Sequence, residues 1–158
     1  MGASGSRRLL AAIACAGVCA LAVAGCGGGG SDSKAEYIKS ADAICTKAGK
    51  EVEAQFAAYL KKSGIKKIGE SGAKAEAEAV GAMETVAIPA FNRQIEKLKA
   101  LEAPSELKAK AEEYIATAEA ALEKGEAEPL LIYLSMPKLF AGSDKVAKEL
   151  GFQVCGHH

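Results

Sequence analysis

From Ser33 onward the apolar residues of this chain recur at steps of three and four, and no stretch alternates as a half-buried strand would. Tyr37, Ile38, Ala41, Ile44, Cys45, Ala48, Val52, Phe56, Tyr59 and Leu60 mark a first helix from about Lys34 to Lys62, with Ser63-Gly64 as its stop. A second helix is expected to start between Lys67 and Ala73. It carries Ala77, Val80, Met83, Ala87, Phe91, Ile95, Leu98 and Leu101 on one face and must tolerate Pro89. After Ala103-Pro104, Ser105 reads as the N-cap of a third helix with a stripe of Leu107, Ala111, Tyr114, Ile115, Ala118 and Leu122, stopped at Gly125. A fourth runs from about Ala127 to Leu150, weakened at Pro137 and Gly142, and Gly151 ends it. An all-α domain follows, and four amphipathic helices with short connections pack most simply as an antiparallel up-down-up-down bundle.

The N-terminus does not belong to that fold. Arg7 and Arg8 precede an uncharged, Ala-rich run from Leu9 to Ala24, which is shorter than the roughly 20 residues of a membrane span and lies where the apolar core of a signal peptide lies. Leu21-Ala22-Val23-Ala24-Gly25-Cys26 resembles the lipobox of bacterial lipoproteins. That resemblance implies cleavage before Cys26, diacylglycerol on its thiol and a mature protein tethered to the cell membrane on its extracytoplasmic face. The expected division is a signal peptide over 1–25, the lipidated cysteine and a Gly/Ser tether over 26–33, a helical domain over 34–156 and a tail of 157–158. The paired arginines fit either the general secretory or the twin-arginine export route.

Cys15 and Cys19 leave with the signal peptide and Cys26 is taken by lipid, so of five cysteines only Cys45 and Cys155 remain. In an exported protein such a pair is a structural disulfide more often than a metal site or a catalytic couple. An up-down-up-down bundle brings the start of its first helix beside the end of its fourth, where these two residues fall.

Twenty Lys and Arg balance twenty Asp and Glu. Without net positive charge the chain lacks the term that drives binding to a phosphate backbone, and nucleic acid is not an expected partner. No phosphate-binding glycine loop, nucleophile elbow, zinc-protease pair or C-x-x-C occurs after Cys26, and no helix carries a histidine. No enzyme activity and no cofactor are therefore expected. The one cluster of soft ligands is Cys155, His157 and His158, which defines the alternative: a metal or redox protein, if Cys155 were a free thiolate.

Pro89 lies 12 residues before Leu101 and Pro137 lies 13 before Leu150, so two bends should fall at one level of the bundle. They could open a pocket lined by some of Met83, Phe91, Tyr114, Met136 and Phe140 for a small apolar ligand. They could equally be absorbed by a core repacked around them.

The lipobox, the D-A-I-C of Asp42 to Cys45, the L-E-A-P-S-E-L of Leu101 to Leu107 and the L-G-F-Q-V-C-G of Leu150 to Gly156 together resemble small actinobacterial lipoproteins. The resemblance implies the address and the helical architecture and no particular activity. The expected role is a non-enzymatic module that binds a small apolar ligand or an envelope protein.

Overall fold

The structure, a computed structural model, describes residues 29–64 and 73–157. The segment expected to be a signal peptide, Cys26, the connection through Lys66 and Lys67, and His158 lie outside the described residues.

All regular structure among the described residues is helical: α1 (Gly29–Ser63), α2 (Ala73–Ala82), a π-helical turn (Met83–Ala87), α3 (Ile88–Lys99), α4 (Lys108–Ala127), α5 (Pro129–Leu139) and α6 (Ala141–Leu150). Helix α1 begins at Gly29, inside the segment expected to be tether, and ends at Gly64, whose φ of 68° takes the chain out of the helix as its sequence predicts.

The second expected helix exists as one run through α2, the π turn and α3. Proline 89 has no N–H to give to the carbonyl of residue 85, and the chain widens by one residue at that point rather than breaking. The Ile88 N–H bonds to Met83 O, five residues back, and Pro89 takes a place in the first turn of α3, where its missing donor costs least.

Three further boundaries differ from the sequence reading. Ser105 does not cap the next helix: Ser105 to Leu107 form a turn, closed by Leu107 N–H on Pro104 O at 2.8 Å, and α4 starts at Lys108. Gly125 does not stop α4 but lies buried inside it, because Ile132 packs against it; a Cβ there would stand 2.7 Å from the Ile132 side chain. The stop is Glu128 (φ −135°, ψ 80°), forced out of helical conformation by Pro129. Finally, the fourth helix is two. Ser135 (φ −144°, ψ 26°) kinks α5 two residues before Pro137, and Phe140 (φ −94°, ψ 4°) separates α5 from α6.

Helix α1 packs on α3, α3 on α4, α4 on both α5 and α6, and α2 on α5. The core has three parts. One joins the first half of α1 to the end of α3, the start of α4, α6 and the segment after it: Tyr37, Ala41, Leu98, Tyr114, Leu150 and Phe152 belong to it. A second gathers Phe56 and Tyr59 of α1, Met83 and Ala87 of the π turn, and Ile132 and Met136 of α5. A third, of Ile95, Ala118 and Leu122, lies between α3 and α4.

Candidate functional site

The densest set of specific contacts lies where the chain's last residues fold back on α1. Gly151 (φ 90°) ends α6 with paired bonds, its own N–H to Lys148 O and Phe152 N–H to Ala147 O, which turns the following residues toward α1. There the Asp42 carboxylate accepts three successive backbone N–H groups: Gln153 at 2.9 Å on one oxygen and Val154 and Cys155 at 2.8 and 3.1 Å on the other. One turn further along α1, Cys45 is bonded to Cys155, with Cα atoms 5.4 Å apart. Both cysteines are buried, Cys45 at 7% exposure and Cys155 at 2%, and Gln94 of α3 donates to the Cys45 sulfur at 3.2 Å. The sequence expectation of this bridge is met.

Phe152 fills the space under the hook. Its ring lies 5.9 Å from Tyr37 and 5.5 Å, edge to face, from Tyr114. Burial pushes the Tyr114 hydroxyl well above the usual phenol range, with the charges of Asp144, Tyr37 and Asp42 adding to the effect; burial alone raises Tyr37. Gly156 (φ 101°) lies so close to α6 that a Cβ would meet the Ala147 methyl at 2.5 Å.

Beside this region run two open grooves that share Tyr37, Leu101, Glu102 and Ala103. The larger, about 700 Å³, follows the junction of α3 and α4 from Leu98 to Glu119. The smaller, about 430 Å³, adjoins the start of α1 at Ser33, Glu36 and Ser40. Two charged networks tie α4 to its neighbours, the first of them on the wall of the larger groove. Lys99 donates to Glu119 at 2.9 Å and Glu96 at 3.1 Å, which raises its pKa, and so joins α3 to α4. Lys110 bridges Glu113 and Glu149, both at 2.8 Å, which raises its pKa and lowers that of Glu149, and so joins α4 to α6.

The five residues expected to line a pocket at the bends separate into two places. Met83, Phe91 and Met136 meet in the second part of the core, and Phe91 stacks at 5.2 Å on Phe140, which is 2% exposed. The π turn packs against α5. Tyr114 does not belong with them, since it packs under the hook with Phe152, and none of the five lines either groove. Of the soft-ligand cluster, the disulfide takes the Cys155 sulfur, and His157 is exposed at the chain's end. Among the described residues no three His, Cys, Asp or Glu side chains gather to hold a metal ion, and no helix is long and apolar enough to cross a membrane.

Asp42 and the grooves were not singled out from sequence. Asp42 lies within the D-A-I-C motif, but the N–H groups that donate to it lie more than a hundred residues away. Comparison with protein-family models, with curated proteins and with solved structures finds no match.

Proposed function

We propose that the protein is a lipid-anchored, extracytoplasmic lipoprotein of a bacterial cell membrane, resembling small actinobacterial lipoproteins, and that it acts as a non-enzymatic binding or protein-interaction module. The observation that carries this reading is the Cys45–Cys155 bridge, closed across 110 residues and buried at both ends. Such bridges persist in oxidising spaces outside the cytoplasm. The bridge thus supports export independently of the lipobox before Cys26.

The membrane is then the first partner, through lipid on Cys26, and the second is an envelope protein or a small apolar ligand; nucleic acid is not. Helix α5 supports the envelope protein. It has one charged residue in eleven, yet Leu134 is 70% exposed and Tyr133 38%. A helix apolar on all sides in a small domain leaves one side for something else to cover. The alternative metal or redox role loses its sulfur ligand to the bridge.

The test is a Cys26→Ala variant expressed in a bacterium with its signal sequence intact. Wild type should fractionate with membranes and carry the mass of two or more acyl chains on a chain beginning at Cys26; the variant should do neither. A wild-type chain that is cleaved elsewhere and carries no lipid overturns the reading. A native mass spectrum of envelope-extracted protein, compared with the denatured spectrum, then reports any bound small molecule directly.

A further inference from the structure

We propose that the groove between α3 and α4 holds one acyl chain of the lipid that Cys26 carries. The proposal rests on the lipid-anchored reading above and adds to it an intramolecular site for the lipid itself.

Reach comes first. Cys26 is three residues from Gly29, where α1 begins, and an extended chain covers that in about 10 Å. Four further residues of helix, about 6 Å, lead to Ser33, which lines the smaller groove. The carrier atom is therefore held within about 16 Å of the mouth, whatever direction residues 26–28 take.

Continuity and length come next. The smaller groove leads into the larger over Tyr37, Leu101 and Ala103, which line both. The larger one follows α4 from Lys108 to Glu119, and eleven residues of helical rise are about 16 Å. An acyl chain that spans half of a hydrocarbon core of about 30 Å is about 15 Å long. The volume of about 700 Å³ lies within the range of small-molecule sites.

The chemistry of the walls agrees. Half-buried Leu101 and Ile115, with the edges of buried Leu98 and Ala111 beneath them, give its apolar surface, while Lys99, Lys108 and three glutamates stand along it with no excess strong enough to select a charged ligand. A neutral chain with no polar group along its length suits such a wall. A lipid with two or more chains can place one here and keep the rest in the bilayer, which would draw the hooked end of the domain onto the membrane surface.

The experiment uses the full-length protein made in cells fed a fatty acid with a photoreactive diazirine near its end. After illumination, the peptide bearing Cys26 should be crosslinked within the same chain to peptides from Leu98–Ala103 or Lys108–Glu119. Ala116 is exposed and lines the groove, and Ala116→Trp should fill it and cut that crosslink several-fold with no loss of folded structure. Ala120→Trp, equally exposed on α4 but outside the groove, should leave the crosslink intact. Label on Cys26 with crosslinks only to bilayer lipid or to other parts of the chain overturns the groove proposal and leaves the anchor standing. An undiminished crosslink in Ala116→Trp overturns it as well. Labelled lipid found in the groove of Cys26→Ala would assign the site to another lipid, and absence of label from Cys26 would remove anchor and proposal together.

Discussion

The two ends of this helical domain are held by different physics. At the hooked end a disulfide, a carboxylate bound to three backbone N–H groups and a phenylalanine between two tyrosines all fix the same few residues to α1. At the other end the π turn, α5 and the second half of α1 meet mainly through Met83, Ile132, Met136, Phe56 and Tyr59. Of specific polar bonds across that cluster, Tyr59 to the Glu78 carbonyl is long at 3.4 Å. Helices there are interrupted at Met83–Ala87, Ser135 and Phe140. Directional bonds specify one arrangement, whereas apolar packing specifies volume and tolerates irregular backbone. The comparison teaches that directional bonds are concentrated on the first half of α1 and an exposed apolar surface lies at the other end.

The largest effect should come from cutting the bridge. Cys45→Ala with Cys155→Ala removes a link that constrains a 110-residue loop of the unfolded chain, and about 4–5 kcal/mol of stability should go with it in urea unfolding. A loss under about 1 kcal/mol would mean that the hook is held by its other contacts, and the contrast between the ends would narrow. At the opposite end, Gly125→Val drives a branched side chain into Ile132, which is fully buried, and should cost about 2–3 kcal/mol. Wild-type stability in that variant would show that α5 can move off α4 without penalty. Asp42→Ala comes third. It deprives three N–H groups of their acceptor, but Gln153 and Val154 are exposed enough for water to replace part of the loss, so about 1–2 kcal/mol is expected. Hydrogen exchange at residues 153–155 should speed up in the same variant, and unchanged protection there would count against the cradle.

These contrasts were unevenly legible in the sequence. Helix periodicity, the stops at Gly64 and Gly151, and the cysteine pair are local or countable signals, and each of them agrees with the structure. Gly125 was misread because a glycine that ends a helix and one that admits a neighbouring side chain look alike; only Ile132 distinguishes them, and it belongs to another element. Pro89 is tolerated within one helical run as expected, but whether a proline breaks, bends or widens a helix depends on what packs on both sides of it. Tyr114 shares a helix stripe with Ala118 and Leu122, which face the third part of the core, and its partner Phe152 lies in a segment without helical period. The grooves are shapes between elements, and no pattern within one element encodes them.

A pH measurement sharpens the account of the hook at smaller scale. In the unfolded chain a tyrosine ionises near pH 10, while burial keeps Tyr114 protonated beyond that. Below about pH 10 both states carry the proton and the stability is complete; above it the unfolded chain releases the proton and the folded one does not, so stability falls as pH rises. Tyr114→Phe should therefore flatten the decline in urea midpoint between about pH 9 and 11, and Tyr37→Phe should flatten it less, its burial being weaker. Identical slopes in wild type and Tyr114→Phe would show that the phenol is reached by solvent.

The smallest expected effect on stability tests the far end most directly. Leu134 is the most exposed large apolar residue among those described, and Leu134→Lys removes little buried area, so stability should change by less than about 0.5 kcal/mol. If the exposed side of α5 meets an envelope protein, the same substitution should abolish co-purification of that protein from crosslinked envelopes while the monomer melts as before. A charge introduced into an apolar contact is costly even where it is harmless in water. Loss of several kcal/mol from the isolated domain would instead show that Leu134 is part of the core, and that both ends of the molecule are closed.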